Sequence, residues 1–411
     1  MSIIKVAILG FGTVGQGVYK TIQSHERELT QVLGKKVEVA AVLIKNKGKE
    51  RNISDGVLVT TDFNEILALP QLDVIMEAIV EKEPSFTYLQ KAIKRGCHII
   101  TANKEMFAHH GKELMMLAKA HHVLVGFEAT VAGGIPIIQT LQQLLKINRV
   151  HHIEGILNGT SNFILTEMRE KQQSFIAALK LAQNHGYAEA DPTNDIAGND
   201  AFYKLMILSR IAFGEEPDWK NVEIKGITSI TNELVRYAAK LGLRFKHIAC
   251  IDQKDGRITG SVRPVLIGKS HPFYHVEGVE NAVNVKSDLV GSITLQGPGA
   301  GMFPTASSMI EDLVFVTQTT LLNNHFTNKS NGTVSQESKQ IKEYWLISGV
   351  KKIGFHSTIN WIEELGDATF LINAAEKDVK NLAVKNKTEC FFPVFGEFEK
   401  QDKEKSIIIS I

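Results

Sequence analysis

Asp200 and Lys204 stand on the run Gly198-Asn199-Asp200-Ala201-Phe202-Tyr203-Lys204-Leu205-Met206-Ile207-Leu208. Read as a helix, the run opens at a Gly-Asn pair and carries an apolar face at Phe202, Leu205, Met206 and Leu208. The spacing of Asp200 and Lys204 puts both on one side, about one turn apart. A carboxylate and an amine held together in a partly dry place can move protons to and from an alcohol. An exposed helix pair of this kind would only trade charge with solvent, but the rest of the run is too apolar for a free surface helix. The approach, Gly186-Tyr187-Ala188-Glu189-Ala190-Asp191-Pro192-Thr193-Asn194-Asp195, is dense in carboxylates and turn formers.

A second chemistry opens the chain. Residues 3–9 are a short apolar run, and Gly10-Phe11-Gly12-Thr13-Val14-Gly15 follows at once. Residues 17–33 then show helical spacing at Val18, Ile22, Leu29 and Val32. Strand, glycine turn and helix in this order are the setting that a dinucleotide site requires. Gly10 permits the tight turn, Gly12 lets a pyrophosphate approach the backbone, and Gly15 lets helix and strand pack closely. The helix start supplies amide donors to the phosphates. The second strand, 37–44, ends in Lys45-Asn46-Lys47-Gly48-Lys49-Glu50-Arg51, with no carboxylate close to its end for a ribose. Lys45, first off that strand, suits a 2′-phosphate, so NADP is favoured over NAD. Lys47 and Lys49 read equally well as a solvated basic loop.

Thr101-Ala102-Asn103-Lys104-Glu105 leaves the carboxyl end of a strand at 97–100, where doubly wound sheets bind ligands. Lys104 is thus placed to face nicotinamide and substrate. A cation is otherwise poorly placed in the first turn of a helix expected at 106–120. Glu128-Ala129-Thr130-Val131-Ala132-Gly133-Gly134-Ile135-Pro136 combines a carboxylate with a turn that exposes carbonyls. It reads as a turn between domains, or as a site for a hard cation.

The elements that must position these groups follow from period and punctuation. Buried strands are expected at 72–78, 97–100 and 123–127, with a helix at 84–95 ended by Gly96. Helix 137–145, strand 149–157 and helix 174–185 come next, and short strand-like and helical pieces alternate from residue 224 onward. A second glycine-rich turn, 297–304, precedes a helix at about 305–322 whose start would return to the cofactor. Residues 326–340 are a polar linker, and 341–411 form a small α+β module. The division is therefore an NAD(P)-binding domain at 1–130, a substrate-binding, catalytic and dimerisation domain at 131–325, the linker, and the module.

In 411 residues, Lys plus Arg number 46 and Asp plus Glu 45, so no global field argues for nucleic acid or an anionic membrane. The amino-terminal run reads as a strand and not as a signal peptide. No apolar stretch approaches the roughly 20 residues of a membrane span. The three cysteines, Cys97, Cys250 and Cys390, follow no metal spacing and read as packing residues of a cytoplasmic protein.

Taken together, these motifs resemble the homoserine dehydrogenase family over roughly residues 1–325. The resemblance rests on the glycine turn 10–15, Thr101 to Lys104, Glu128 to Pro136, Asn158-Gly159-Thr160-Ser161-Asn162, Gly186 to Pro192, Asp195 to Ala201 with Lys204, and 297–304. It implies a Rossmann-type nucleotide-binding domain, a mixed α+β domain and an ACT-like carboxyl-terminal module. The activity it implies is reversible reduction of L-aspartate 4-semialdehyde to L-homoserine with NAD(P)H, on the route to threonine, methionine and isoleucine. By that resemblance Lys204 gives a proton to the aldehyde oxygen, and Lys104 sits near substrate and nicotinamide. Asp200, Glu189 and Asp195 hold the amino acid or a catalytic water. Phe11, Thr13, Val14, Thr101, Gly186 and Gly301 match cofactor positions. Glu128 with the carbonyls of Val131, Gly133 and Ile135 matches a structural sodium site. A homodimer or homotetramer is implied as well. The tail departs from the pattern: Lys351-Lys352-Ile353-Gly354 stands where an Asp-x-Pro-Gly effector turn is expected, which puts threonine feedback in question.

Two other functions compete. A semialdehyde dehydrogenase working through a thioester needs an activated cysteine at the cleft, and none of the three is placed for it. A sensor that binds NADPH or an amino acid without chemistry has no use for Lys204, Asp200, Lys104 and Glu189 together.

Overall fold

The computed structural model describes residues 2–46, 48, 50–319, 343–350, 358–366 and 368–399. Lys47, Lys49, the 326–340 linker and 351–354 lie outside the described residues. The chain divides into two compact units.

The first unit holds residues 1–150, 203–216 and 295–330. Its elements are β1 (Ile3–Leu9), α1 (Thr13–Ser24), α2 (Glu26–Leu33), β2 (Lys36–Leu43), β3 (Leu58–Thr60), α3 (Phe63–Leu67), β4 (Val74–Glu77), α4 (Lys82–Lys94), β5 (His98–Thr101), α5 (Lys104–Ala120), β6 (Val125–Gly126) and α6 (Ile137–Leu144). The rear of α10 (Asn199–Phe213) and the helix α12 (Met302–Gln318) complete it. The six strands form one sheet in the order β3-β2-β1-β4-β5-β6. Neighbours run parallel, with Val6 opposite Val74 and Val74 opposite His98. That order reverses direction at β1, which places the ligand crevice at the carboxyl ends of β1 and β4. Val6, Ile8, Met76 and Ile100 are buried against Val18 and Ile22 of α1 and against Ala306, Met309 and Leu313 of α12. Fully apolar strands of this kind need helices on their faces, and α12 supplies one from far down the chain. The single helix expected over 17–33 is two: the backbone leaves helical geometry at His25 (φ −113°, ψ 27°) between α1 and α2. No proline or glycine marks that break.

The second unit holds residues 151–202, 217–294 and 331–411. It contains β7 (Val150–Ile156), α7 (Gly159–Glu170), α8 (Phe175–Asn184), α9 (Thr193–Ile196), β8 (Glu223–Ile224), α11 (Asn232–Lys240), β9 (Arg244–Lys254), β10 (Arg257–Ile267), β11 (Glu280–Ser287) and β12 (Gly291–Pro298). After the undescribed stretch come β13 (Glu343–Ser348), β14 (Asn360–Gly366), β15 (Thr369–Ala374), α13 (Glu376–Asn386) and β16 (Phe391–Phe395). All the strands join one mixed sheet, ordered β12-β11-β7-β9-β10-β16-β13-β15-β14, with β8 alongside β10. The tail thus continues the sheet, because β16 pairs in parallel with β10, Leu266 opposite Val394. One core is shared as well: Leu346, Leu371, Phe392, Val394 and Phe398 pack with Leu234, Leu241, Phe245 and Leu266. Among the described residues, no helix is long and apolar enough to cross a membrane.

Candidate functional site

At the end of β1 the chain turns through Gly10, whose φ of +91° is costly for any residue with a Cβ. A Cβ there would also lie 2.8 Å from the Ala78 carbonyl oxygen. Gly12 caps α1 in an extended conformation without a side-chain bond to the first amides. A Cβ on Gly12 would meet nothing within 4 Å, so space stands open over those amides. One on Gly15 would sit 2.0 Å from the Gly10 carbonyl oxygen, which is how closely helix and turn approach. Thr13 is exposed and Phe11 and Val14 are half-buried on this rim, with Phe11 set edge-on to Tyr19. Free amides at a helix start, with room in front of them, fit a pyrophosphate. Lys45, just past β2, is 93% exposed, with Nζ 3.2 Å from Glu81 Oε1. Gly301 caps α12 in this same unit with φ +123°. The side of Gly17 lies against Met302, so α1 and α12 pack nearly backbone to backbone.

At the carboxyl ends of β4 and β5 a buried carboxylate organises the loops. Glu77 accepts hydrogen bonds from Ile79 N (2.6 Å), Ser85 Oγ (3.1 Å) and Thr101 Oγ1 (2.6 Å). Complete burial pushes its carboxyl up to about 7, against the pull of those donors. Thr101 also accepts from Asn103 N, so its hydroxyl faces this inner network. Asn103 caps α5, its Oδ1 accepting from Met106 N. Lys104 is therefore the first residue of α5, and it is exposed. The rear of α10 lies on α5: the Tyr203 ring is 5.7 Å from His109, and Arg210 donates to the carbonyls of Phe107 and Ala108. Burial and the neighbouring Glu105 carboxylate raise the Tyr203 hydroxyl. Lys204, next along α10, is only 8% exposed.

Asp200 lies one turn before Lys204 on α10 and is 4% exposed. Its Oδ2 accepts from Asn158 Nδ2 at 2.9 Å, and the same amide donates to Asp195 Oδ1 at 2.7 Å. Asn158 Oδ1 caps α7 by accepting from Ser161 N, which fixes the amide's orientation. Thr160 Oγ1 donates to the Tyr187 carbonyl and ties the carboxylate-rich loop to α7. Glu189 is exposed on that loop, and Gly186 turns the chain out of α8 with φ +74°. The structure thus brings Asp200 and Asp195 together through Asn158. Asn158 and Glu77 were not singled out from the sequence. The polar turn 158–162 was the available signal for the first, and a carboxylate ending an apolar strand for the second.

Glu128 is buried, and its two oxygens accept from Ile138 N (2.8 Å) and Gln139 N (2.9 Å), capping α6. Burial pushes its carboxyl up to about 7. Its backbone amide donates to Asp312 of α12, whose carboxyl burial and the Glu128 charge together raise. Ala132 (φ +55°) and Gly133 (φ +54°) follow in left-handed geometry, and the Gly133 carbonyl accepts from Ser308 Oγ. A buried carboxylate beside carbonyls turned by this geometry is a donor set that suits a hard monovalent cation. Cys97 is buried, with its thiol raised by burial and donating to the Leu72 carbonyl.

A sheet wound in this order, with an open glycine turn at its first crossover, is the architecture of the dinucleotide-binding proteins. Comparison with known proteins gives the particular kind. The homoserine dehydrogenase NAD-binding domain matches residues 10–128, and the homoserine dehydrogenase family matches residues 136–314. Homoserine dehydrogenase of Bacillus subtilis is 42% identical over 318 residues, covering 77% of this chain and 73% of its own. That of Neisseria gonorrhoeae is 41% identical over 315 residues, covering 76% and 72%. The crystal structure of a homoserine dehydrogenase from Thiobacillus denitrificans superposes with a TM-score of 0.84 at 34% identity, over 96% of this chain and 99% of its own. A hyperthermophilic archaeal homoserine dehydrogenase in complex with NADPH matches with a TM-score of 0.67 at 28% identity, over 77% and 98%. The chain belongs to the homoserine dehydrogenase family and is an oxidoreductase.

Proposed function

We propose that this enzyme reduces L-aspartate 4-semialdehyde to L-homoserine, reversibly, and prefers NADPH. The route would be that to threonine, methionine and isoleucine, in the cytoplasm. Gly10, Gly12 and Gly15 would hold the nicotinamide cofactor, and Phe11, Thr13, Val14, Gly186 and Gly301 are its further candidate contacts. When bound it supplies the hydride. Lys45 would meet its 2′-phosphate, and the archaeal relative solved with NADPH is consistent with that choice.

The chain's own residues do the rest. Lys204 gives its proton to the aldehyde oxygen as that oxygen gains charge, and takes one from the alcohol in reverse. Lys104 adds a second positive charge towards the developing alkoxide. Glu189 and Asp195 hold the amino-acid end, and Asp200 orients substrate or water. Thr101 serves the cofactor indirectly, through the Glu77 network that shapes the loop before Lys104. The observation that carries this reading is the burial of both Asp200 and Lys204 on one face of α10, with Asn158 fixing Asp200.

Glu128, with the carbonyls of Val131, Gly133 and Ile135, would hold a sodium or similar ion. That ion would neutralise a buried carboxylate and set the turn; no chemical step passes through it. The tail is read as an ACT-like module, supported by the local strand order β16-β13-β15-β14, and the whole as a homodimer or homotetramer.

The test is to follow reduced-nicotinamide absorbance with L-aspartate 4-semialdehyde, using NADPH and then NADH. Consumption of both, with the lower KM for NADPH, is expected. Phosphate-dependent oxidation of the aldehyde, or binding without turnover, would overturn the assignment.

A further inference from the structure

Strand alternation gathers a second set of reactive groups within the sheet of the second unit. His152 and Glu154 sit two apart on β7, and Cys250 and Asp252 two apart on β9, so each pair shares a face. The antiparallel register sets His152 opposite Asp252 and Glu154 opposite Cys250. Four groups able to bind a metal therefore meet on one side of two adjacent strands. His152 Nδ1 lies 2.8 Å from Asp252 Oδ1 and 3.9 Å from Cys250 Sγ. Cys250 Sγ lies 3.4 Å from Asp252 Oδ2. Tetrahedral zinc with bonds of about 2.0–2.3 Å holds such donors roughly 3.3–3.6 Å apart. The two short distances run to different Asp252 oxygens, and one donor atom from each of the three residues lies within 4.8 Å of the others, so a modest closing of the side chains reaches those edges.

What lies behind the imidazole matters as much. His271 Nδ1 accepts from Phe273 N, so its hydrogen is on Nε2, which faces Glu154 Oε2 at 3.5 Å. The same Glu154 oxygen stands 3.8 Å from His152 Nε2, a buried nitrogen that makes no hydrogen bond among the described residues. A small approach would let Glu154 accept the Nε2 hydrogen of His152 and leave the Nδ1 lone pair pointing at Cys250 and Asp252. A carboxylate behind a ligating imidazole is the usual support of a metal-bound histidine. The side chains of His152 and Asp252 are 16% and 29% exposed, so an ion can enter and retain a water.

We propose that His152 Nδ1, Cys250 Sγ and a carboxylate oxygen of Asp252 bind a divalent transition metal ion of the zinc class, with Glu154 and His271 as the supporting shell. Thiolate, imidazole and carboxylate together suit zinc or cobalt, and not a hard ion such as sodium or magnesium. The ion bridges β7 and β9 and replaces the protons of the imidazole and the thiol. Without it the cluster is held by the 2.8 Å contact between His152 Nδ1 and Asp252 Oδ1. This site does not depend on the reading above.

The test is titration of the chelator-treated full chain with Co²⁺, read by absorption. One equivalent should bind, with intense visible bands from a four-coordinate ion and a near-ultraviolet thiolate-to-cobalt band. Zn²⁺ should displace it. Cys250→Ser should abolish the thiolate band, and His152→Gln should weaken binding at least tenfold. Cys390→Ser should change neither. Each variant's turnover with NADPH reports whether it has folded. The absence of saturable Co²⁺ binding in the micromolar range, or a thiolate band that survives Cys250→Ser in an active protein, would overturn the proposal and leave the His152–Asp252 contact as the role of the cluster.

Discussion

Lys204 carries the chemical proposal, and its replacement tests it most directly. General acid–base catalysis contributes about 10²–10⁴-fold. Lys204→Ala should therefore lower kcat with semialdehyde by at least about 10²-fold, with little change in the KM for NADPH. A loss below about tenfold would remove Lys204 from the proton path. Glu128 gives a prediction in pH. Its folded carboxyl titrates at about 7, above the ordinary value near 4.5, because burial favours the neutral form. A group raised in this way stabilises the fold fully below the unfolded pKa, and that contribution is lost as pH rises through 7. The loss is about 3 kcal/mol by pH 8 for a shift of this size. A bound cation favours the ionised form and should restore it. The thermal midpoint at pH 8 should rise with sodium chloride over choline chloride, with no such difference at pH 5 or in Glu128→Gln. Equal midpoints in both salts at pH 8 would exclude a cation at this carboxylate. Asp200 and Lys204 were legible in the sequence because both lie within one helical turn, where spacing alone fixes their relation. Asn158 was not, since its bonds to Asp195 and Asp200 close over some forty positions of chain. Nor was the His152–Cys250–Asp252 cluster, which exists only once β7 and β9 pair in one register.

At the scale of the element, the glycine turn makes two demands that mutation can separate. Gly12 has a negative φ and empty space before its missing side chain. Gly12→Ala should fold normally, its unfolding free energy from urea titration within about 0.5 kcal/mol of the parent, the range of a surface change. The new methyl would stand in the room left for the pyrophosphate, so the KM for NADPH should rise about tenfold or more. Gly15 is different, because a Cβ would drive into the Gly10 carbonyl oxygen. Gly15→Ala should lose stability as well, by about 1–3 kcal/mol, the usual cost of overpacking. If both variants bound NADPH normally, the turn would not hold the cofactor. The elements around it were read from the sequence to within a few residues, since apolar runs and helical period are local signals. Two boundaries were missed: α5 starts at Lys104 behind the Asn103 cap, and the helix breaks at His25 with no glycine or proline to announce it.

Across the whole molecule, the tail raises the question of whether it is an appendage or part of the fold. Its strands could be read from alternation, but nothing in the sequence says that β16 lies beside β10. That pairing, with Leu266 opposite Val394, extends a single sheet. Trp345 and Ile372 belong to a core of the tail's own, whereas Leu346, Leu371, Phe392, Val394 and Phe398 are buried against Leu234, Leu241, Phe245 and Leu266. A fully buried side chain of this size contributes about 1.5–3 kcal/mol. Five of them together rival the 5–15 kcal/mol net stability of an ordinary domain. The archaeal relative solved with NADPH is matched over 98% of its length by 77% of this chain. This chain has made the tail part of its core. Ending it at residue 319 should therefore expose an apolar face and the β10 edge, giving a protein that aggregates or melts well below the parent. Replacing Phe245 and Leu266 by Thr and Lys in the shortened chain should recover soluble protein. If instead the shortened chain stayed soluble, kept its melting point and turned over NADPH as before, the tail would be an independent module, free to have evolved for regulation alone.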